Sequence, residues 1–474
     1  MGGPTPTCAV KCLGRTRPPA RKACDLSSGG ESRPSIQTER QYRGDRGRSM
    51  TEEEVNMVQQ EQEPELFVGI DWGSETHVVQ AVNAHGERCF DTQVAHRGTE
   101  IDRFVDELTQ WAGGDLGTVA VGIETAHGAV VEALLDAGAQ VYSINPKQLD
   151  RFRDRHTVAG AKDDSLDAYV LADSLRSDRP LYRRLHLPEP LQLQLRELSR
   201  AYDALTEHVV QLGNQVTELL RRYYVELLDI GNWYDEPWLW ALFERAPTPA
   251  TLRKLRPHTL EKLLREHGIR RYQAKALLNE LRAQRPLPAA PGVAEAMAAR
   301  ISLMLPSLRA AHAGQRDCRR QLEKLLEQAC RSEPGNQAHP DAAIVLSFVG
   351  IGTIVGAKMM AEAWEPLRRR DYHALRRLAG AAPVSKRTGK QSRPTVQMRR
   401  ARNPQLSVAL YHWARVAVQH EPRARAHYQT LRQRGHRHGR ALRGVGDRLL
   451  RALVAALRDG QLYDPARRSA PALP

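Results

Sequence analysis

The order of apolar and polar positions along the chain predicts a mixed α/β region near its beginning. Between residues 65 and 175, short apolar runs alternate with stretches that have helical periodicity. Strands are expected at 65–71, 77–82, 87–94, 118–124 and 139–144, and helices at 98–112, 127–137, 146–153 and 164–175. A mixed sheet with helices packed against it is the architecture that fits this order of elements.

The middle of the chain has a long helical pattern. From about Leu191 to Leu228, apolar residues recur every three or four positions, and a second such run extends from about Gly292 to Cys330. The second run is the expected return helix of the first. A coiled-coil hairpin or dimer arm fits this spacing, and so does a buried helix in a bundle. The insert between the two runs is predicted to form short basic helices joined by proline-rich turns.

A mainly helical region is expected to begin at about Ala342. The turn Gly350-Ile351-Gly352 leads into an apolar helix, Ile354 to Ala363. A Gly-x-Gly turn entering a helix resembles a helix-hairpin-helix element, whose backbone amides can hold a phosphate. An ordinary helix N-terminus fits the same residues. A Rossmann fingerprint does not, because the third glycine and the βαβ frame are missing.

These patterns divide the chain into parts. The expected parts are a disordered basic leader (1–62), an α/β domain (63–180), a helical or coiled-coil region with a basic insert (190–335), a C-terminal domain (340–465) and a tail (466–474). Met50 or Met57 is a candidate alternative start. No run of 18 consecutive apolar residues occurs, so no membrane span is expected. The chain has few cysteines for its length, which favours the reducing cytoplasm.

The chain carries a large positive charge that is concentrated near its C-terminal end. The formal net charge is +15 over 474 residues. Between Pro366 and Gly460 there are 23 lysines and arginines and only four acidic residues, so this segment alone exceeds the charge of the whole chain. Such a surface is expected to bind the phosphates of nucleic acids with a strong salt dependence.

Four acidic residues have the spacing of a metal-dependent nuclease core. Asp71 and Glu124 each follow an expected strand, and Asp164 and Asp167 are three residues apart on one face of an expected helix. If these carboxylates meet, they can bind Mg²⁺ or Mn²⁺, which prefer oxygen ligands and assist phosphate chemistry. Each acid alone is more often a turn or cap residue. Their order along the chain favours an RNase H-like, or RuvC-like, nuclease domain.

Several motifs together resemble a known family. Val68-Gly69-Ile70-Asp71, Gly122-Ile123-Glu124-Thr125 and Lys162 to Ala168 are similar to the DEDD-type insertion-sequence transposases of the family numbered one hundred and ten. That family includes RNA-guided bridge recombinases and the pilin-gene invertase. The C-terminal half agrees with it in Leu378-Ala379-Gly380-Ala381-Ala382-Pro383-Val384 and Leu410-Tyr411-His412-Trp413-Ala414. The resemblance extends over residues 65–465.

The resemblance implies a DNA recombinase with a composite site. Asp71, Glu124, Asp164 and Asp167 match the family's metal ligands, which bind magnesium. A serine of the C-terminal transposase domain is the family's nucleophile and forms a transient phosphoserine link to DNA. This sequence departs from that pattern, because Thr388-Gly389 stands where the family usually has Ser-Gly. Thr388 is therefore preferred on alignment and Ser392 on chemical type.

The surroundings of these two hydroxyls are strongly cationic. The expected phosphate-binding residues are Lys386, Arg387, Lys390, Arg393, Arg399 and Arg400. The implied partners are donor and target DNA, a structured guide RNA, and further copies of the chain in a dimer or tetramer. Three alternatives stay open at this stage: a DNA invertase of the same family, a hydrolytic junction nuclease, and a nucleic-acid-binding protein without catalysis.

Overall fold

The computed structural model describes residues 63–153, 163–331, 339–386 and 395–465. An N-terminal domain with a mixed sheet is followed by two long helices and a mainly helical C-terminal region. The predicted fold class is confirmed at this level. The bounds of the five parts inferred from the sequence stay predictions, and the leader 1–62 and tail 466–474 lie outside the described residues.

The N-terminal domain is built on a six-stranded mixed sheet. Its strands are β1 (Leu66–Asp71), β2 (Thr76–Asn83), β3 (Arg88–Ala95), β4 (Val119–Ile123), β5 (Gln140–Ser143) and β6 (Arg183–Arg184), in the order β3-β2-β1-β4-β5-β6. β1, β4 and β5 are parallel to one another, while β2, its neighbour β3 and the edge strand β6 pair antiparallel. The first five strands lie where the sequence pattern predicts them. β6 has only two residues, which is too short to give a periodic signal.

Helices cover both faces of this sheet. They are α1 (Gly98–Trp111), α2 (Ala129–Asp136), α3 (Pro146–Arg153) and α4 (Asp164–Asp178). On one face, Ile70 packs in a core with Phe104 of α1 and Leu134 of α2. On the other face, Phe67 belongs to a core with Leu149 of α3 and Leu171 of α4. Apolar side chains alternate between the two cores along β1, because successive residues of a strand point to opposite faces.

Two long helices follow, α5 (Pro190–Leu220) and α10 (Val293–Cys330). They run antiparallel, since Gln315 donates to Thr206 Oγ1 at 2.7 Å while Arg222 contacts Met297. The second helical run is therefore the return helix, whereas coiled-coil geometry stays a prediction. The first helix ends at Leu220, before the apolar pattern ends. That pattern continues to Leu228 because a 3₁₀ turn there still contributes side chains to a buried core.

Four short helices form the insert between the long ones. They are α6 (Pro237–Arg245), α7 (Pro249–Lys254), α8 (Pro257–Glu266) and α9 (Ala274–Ala283). The first three begin with proline, whose missing N–H leaves no intrahelical hydrogen bond unmade at a helix start. Trp233, Trp238 and Trp240 are almost fully buried in a core that the insert shares with the adjoining parts of α5 and α10, including Val216 and Ile301.

The C-terminal region consists of short helices, one hairpin and three longer helices. These are α11 (Ala342–Leu346), α12 (Thr353–Glu362), α13 (Trp364–Arg368), α14 (Tyr372–Leu378), β7 (Pro383–Lys386), β8 (Thr395–Met398), α15 (Pro404–His420), α16 (Pro422–Gln433) and α17 (His438–Asp459). Its core contains Trp413 together with Leu195 and Leu322 from the two long helices. The base of the long helix pair is therefore part of the C-terminal core.

The turn before α12 packs closely on α15. Gly350 has φ +93°, and a β-carbon there would lie 3.1 Å from the Trp413 carbonyl oxygen and from the Ala417 amide nitrogen. Close packing and backbone conformation both account for this glycine. Phosphate binding at the turn remains a prediction. Among the described residues, no helix combines the length and apolar character needed to span a membrane.

Candidate metal centre

The carboxyl ends of β1 and β4 bring two of the predicted acids to the same edge of the sheet. Ile70 and Ile123 are register partners in the parallel β1–β4 pair, and Asp71 and Glu124 follow them directly. Neighbouring strands lie about 4.8 Å apart. The two acids therefore leave the sheet from adjacent, equivalent positions, as the sequence predicts.

Two glycines let α4 approach this part of the sheet closely. A β-carbon on Gly69 would lie 1.9 Å from the Ala168 carbonyl oxygen, and one on Gly122 would lie 3.2 Å from the Leu171 carbonyl oxygen. Gly69 and Asp71 are two residues apart in β1, so both point to the face that α4 covers. The glycine thus places the first turn of α4 beside Asp71.

Three carboxylates converge at this point. Asp71, Asp164 and Asp167 each offer an oxygen, and these oxygens all lie within 4.8 Å of one another. Asp164 is exposed, Asp71 is partly buried, and Asp167 is 5% exposed. No second group of three metal-ligating side chains comes as close together in the part of the chain that the structure describes. The centre is open on one side and buried on the other.

The neighbouring acid Asp163 has a structural role. Its side chain accepts a hydrogen bond from the Ser165 N–H at 3.1 Å and caps the start of α4. A capping aspartate fixes where a helix begins, because it satisfies an amide that has no intrahelical partner. The cap therefore sets which residues form the first turn, and that turn carries Asp164 and Asp167.

Glu124 is not part of the three-carboxylate group. The group contains Asp71, Asp164 and Asp167, while Glu124 lies one residue beyond β4 and is partly buried. The structure therefore brings together three of the four predicted ligands. It places the fourth at the end of the neighbouring strand, and its role as a ligand stays a prediction.

The donor set suits a hard divalent cation. Three carboxylate oxygens within a few ångströms repel one another when they are ionised, and a cation among them removes that repulsion. Oxygen donors alone are the set that Mg²⁺ and Mn²⁺ prefer, whereas histidine and cysteine ligands would point to zinc. The residues present thus fit magnesium or manganese.

Comparison with known proteins identifies the family. A family model of DEDD transposases matches residues 68–225, and a second, described as transposases of the IS116/IS110/IS902 family, matches residues 342–429. A protein assigned as the mini-circle transposase for IS117 of Streptomyces coelicolor is 32% identical over 86% of this chain and 97% of its own length. The chain belongs to the IS116/IS110/IS902 family of transposases.

Two further proteins have sequences similar to this transposase. An uncharacterized 43.6 kDa protein of insertion element IS110 from Streptomyces coelicolor is 26% identical over 84% of the transposase and 95% of its own length. A protein assigned as the transposase y4uE of Sinorhizobium fredii is 40% identical, but over only 44% of this chain and 58% of its own. The full-length matches cover both the acid-bearing domain and the C-terminal region.

The predicted hydroxyls of the transposase lie between β7 and β8. Thr388 and Ser392 are outside the described residues, and so are the predicted phosphate-binding residues Arg387, Lys390 and Arg393. The strands on either side are described, and Lys386 at the end of β7 is the register partner of Thr395 in β8. The two hydroxyls thus belong to the connection between paired strands.

The C-terminal end of this hairpin carries the remaining predicted cations. Arg399 donates from Nε to the Ala401 carbonyl oxygen at 3.0 Å, and Arg400 is exposed. The sequence reasoning missed a further group near this point. Burial lowers the pKa of Arg443, and the positive charges of Arg402 and Arg440 lower it further. Arginines are so common in this region that no sequence signal singles out these three.

Sequence reasoning also missed two residues at the end of the β1–β2 pair. Trp72 follows Asp71 and is 42% exposed, while His77 at the start of β2 is fully buried. Burial lowers the pKa of His77, and the neighbouring His96 lowers it further. The two histidine rings are joined by a hydrogen bond of 2.9 Å between Nε2 of His77 and Nδ1 of His96. A contact between residues in two strands is not visible in their sequence spacing.

Proposed function

We propose that this transposase cuts and rejoins DNA in a composite site formed by the acid cluster and the β7–β8 hairpin. The observation that carries the proposal is the convergence of Asp71, Asp164 and Asp167 in a chain whose C-terminal half also matches the transposase family. The proposed N-terminal fold is RuvC-like. The mixed sheet, with its acids at the ends of β1 and β4, supports that assignment.

The proposed metal ligands are Asp71, Asp164 and Asp167, with Glu124 as the fourth. A bound Mg²⁺ or Mn²⁺ polarises a phosphate oxygen and stabilises the charge of the transition state. Glu124 is included because of its position. It directly follows Ile123, the register partner of Ile70, at the same edge of the sheet as Asp71. Asp163 holds the start of α4 and so positions two ligands without being one.

The proposed nucleophile is the hydroxyl of Thr388 or Ser392. Its oxygen attacks the scissile phosphorus and gives up its proton, the bond from phosphorus to one DNA oxygen breaks, and that DNA oxygen takes up a proton to become a hydroxyl. Reversal of this step by the hydroxyl of a second DNA strand rejoins the DNA and frees the side chain. Each step exchanges one phosphoester for another, so no nucleotide cofactor is required. Cations at Lys386, Arg387, Lys390, Arg393, Arg399 and Arg400 neutralise the phosphate.

The proposed partners are donor and target DNA and a structured guide RNA. The DNA partners follow from family membership and from the basic C-terminal region, and the RNA follows from the resemblance to the bridge recombinases. Exchange of two duplexes needs several active sites, so we propose a homodimer or homotetramer that uses the α5–α10 pair as a coiled-coil interface. Inversion of a DNA segment uses the same chemistry as transposition. We propose a cytoplasmic, nucleoid-associated protein.

Recombination between a donor and a target plasmid tests this function. Glu124→Ala and Asp164→Asn are expected to abolish the recombinant product, because each removes a proposed ligand. Asp163→Asn is the matched control, since an asparagine can still accept the capping hydrogen bond of α4. A Glu124→Ala variant that recombines as well as the wild type would exclude the metal role of that residue.

A hydrolytic nuclease is the second candidate, because the acid cluster alone suffices for metal-assisted hydrolysis. It predicts that nicked DNA accumulates and that a Thr388→Ala/Ser392→Ala double variant keeps full activity. The strand-transfer mechanism predicts the opposite, with loss of product in the double variant. A protein that only binds nucleic acid predicts salt-sensitive binding and no cleavage in Mg²⁺.

A further inference from the structure

Three arginines come together at the base of the β7–β8 hairpin. Arg402 follows β8, whereas Arg440 and Arg443 lie three residues apart in the first two turns of α17 and so share one helix face. The helix that begins just after Arg402, α15, packs on α17, since a β-carbon on Gly446 would lie 2.9 Å from Leu410 Cγ. Arg402 and Arg440 are close enough to Arg443 for their charges to lower its pKa. The fold thus brings arginines from two separate elements to one place.

The side chain of Arg402 is held in position by the protein. Its Nε donates to Ser407 Oγ at 3.0 Å, and one of its terminal nitrogens donates to the Arg399 carbonyl oxygen at 3.1 Å. A β-carbon on Gly380 would collide with Cδ of Arg402, so the arginine also packs closely on the backbone just before β7. Arg402 therefore lies where both strands of the hairpin leave the helical core.

No acid offsets the charge of the two helix arginines. Among the described residues, no carboxylate forms an ion pair with Arg440 or Arg443. The next acid along α17, Asp447, is already bound by the Tyr372 hydroxyl and the Arg376 guanidinium. The first turn of α17 contains no acidic residue, although the N-terminus of a helix favours negative charge. The neighbouring arginines and the helix therefore both oppose a positive charge at this place.

Arginine cannot relieve this repulsion by losing its proton. Its pKa lies so far above neutral pH that a lowered value still leaves the group ionised. An anion between the guanidinium groups does relieve the repulsion, and a planar guanidinium matches two oxygens of a phosphate with parallel hydrogen bonds. Arg402 and Arg443 are partly buried, while Arg440 is exposed, so the cluster is accessible from solvent on one side.

We infer that Arg402, Arg440 and Arg443 bind a phosphate of the DNA backbone at the base of the β7–β8 hairpin. The inference rests on the proposed function, because the hydroxyls of Thr388 and Ser392 belong to the connection of the same hairpin. These arginines add to the cations that the proposed function assigns to that connection and its flanks. A phosphate contact carries no base sequence, so the cluster positions the DNA strand without selecting its sequence.

Binding of duplex DNA by the full chain in EDTA tests this site. The probe is a labelled duplex of about 20 base pairs, two helical turns, and its Kd is measured by fluorescence anisotropy over a range of salt concentrations. Each phosphate contact contributes about 0.9 to the slope of log Kd against log salt concentration. Arg440→Gln/Arg443→Gln is expected to lower this slope by about 1 and to weaken binding most at low salt.

Arg451→Gln/Arg458→Gln is the matched control. It removes the same charge from the same helix, but these two arginines have partners in the protein, the Tyr372 hydroxyl and the Arg370 carbonyl oxygen. The control is expected to keep the wild-type slope. Thermal unfolding without DNA checks that the cluster variant is folded, and its Tm is expected to equal or exceed that of the wild type because a repulsion is removed.

Each outcome decides the inference separately from the proposed function. A wild-type slope in the cluster variant overturns the inference, and so does an equal change in the control, which would indicate net charge alone. A cluster variant less stable than the wild type also overturns it, since the arginines would then support the fold. A change confined to an RNA stem-loop, titrated in the same way, would assign the cluster to RNA and overturn the DNA site. Failure of the proposed function shows instead as retained recombination in Asp164→Asn, whereas these titrations require neither metal nor strand cleavage.

Discussion

Gly69 in β1 and Ala168 in α4 are in such close contact that a β-carbon on the glycine would lie 1.9 Å from the Ala168 carbonyl oxygen. The obstructing atom belongs to the backbone, so a side-chain rotation cannot relieve the clash. The proximity of Asp71 to Asp164 and Asp167 depends on this contact. Gly69 therefore controls how close the three carboxylates come to one another.

Gly69→Ala is expected to destabilise the protein and to open the acid cluster. Overpacking against a fixed backbone costs about 3 kcal/mol, at the upper end of the usual range. Urea unfolding measures that cost, and Mn²⁺ titration measures the loss of metal affinity. Gly98→Ala is the control, because a β-carbon at this helix start meets no atom within 4 Å. Normal Mn²⁺ binding in a folded Gly69→Ala protein would contradict the role of this contact.

Asp164→Asn is expected to have opposite effects on stability with and without metal. In EDTA its melting temperature should rise above that of the wild type, because one of three mutually repelling charges is removed. In Mn²⁺ the wild type should gain stability from binding while the variant gains little. Thermal unfolding in both buffers measures the two effects. A higher melting temperature for the variant in both buffers would contradict metal binding at this cluster.

Asp163→Ala tests the cap independently of the metal. The change removes the hydrogen bond to Ser165 and is expected to cost about 1 kcal/mol of unfolding free energy. Mn²⁺ should still stabilise this variant, since Asp163 is not in the three-carboxylate group. A variant that loses its response to Mn²⁺ while keeping its stability would instead make Asp163 a ligand.

The ion pair between Asp203 and Lys358 is expected to hold α5 on α12. Lys358 is 5% exposed, and its Nζ lies 2.6 and 2.7 Å from the two carboxylate oxygens of Asp203. Asp203→Ala leaves a buried ammonium without its partner and is expected to cost about 3 kcal/mol. The double variant Asp203→Ala/Lys358→Met should recover most of this loss in urea unfolding. Additive losses in the double variant would show that the two residues act separately.

Protonation of His77 is expected to destabilise the protein below about pH 6.5. Its folded-state pKa lies below the ordinary value of 6.5, first because of burial and then because of His96. The unfolded chain binds this proton more readily, so the stability is complete above pH 6.5 and is lost as pH falls towards the folded-state pKa. His77→Gln should flatten this part of a stability–pH profile. His85→Gln in the exposed β2–β3 turn should leave the profile as in the wild type.

The sequence predicts the N-terminal sheet well because its strands are short apolar runs bounded by turns. The order of the acids along the chain and the family resemblance also predict that the carboxylates converge, and the structure brings Asp71, Asp164 and Asp167 together. The same reasoning extends the first long helix to Leu228, although the helix ends at Leu220. Apolar spacing reports burial, and here burial continues after the helix has stopped.

Other features depend on contacts between distant residues and have no local signal. Nothing in the neighbourhood of Gly69 shows that a helix nearly one hundred positions later will lie on it. The burial of His77 against His96 and the exposure of Trp72 are likewise set by tertiary packing. The two hydroxyls of the β7–β8 connection, Thr388 and Ser392, stay predictions that rest on the family resemblance.

The α5 helix joins two separate cores and so acts as a spacer of defined length. Leu195 belongs to the core of the C-terminal region and Val216 to the core of the insert. At 1.5 Å per residue, the helix sets these positions roughly 32 Å apart. Removal of one heptad from this helix would therefore bring the two cores about 10 Å closer together.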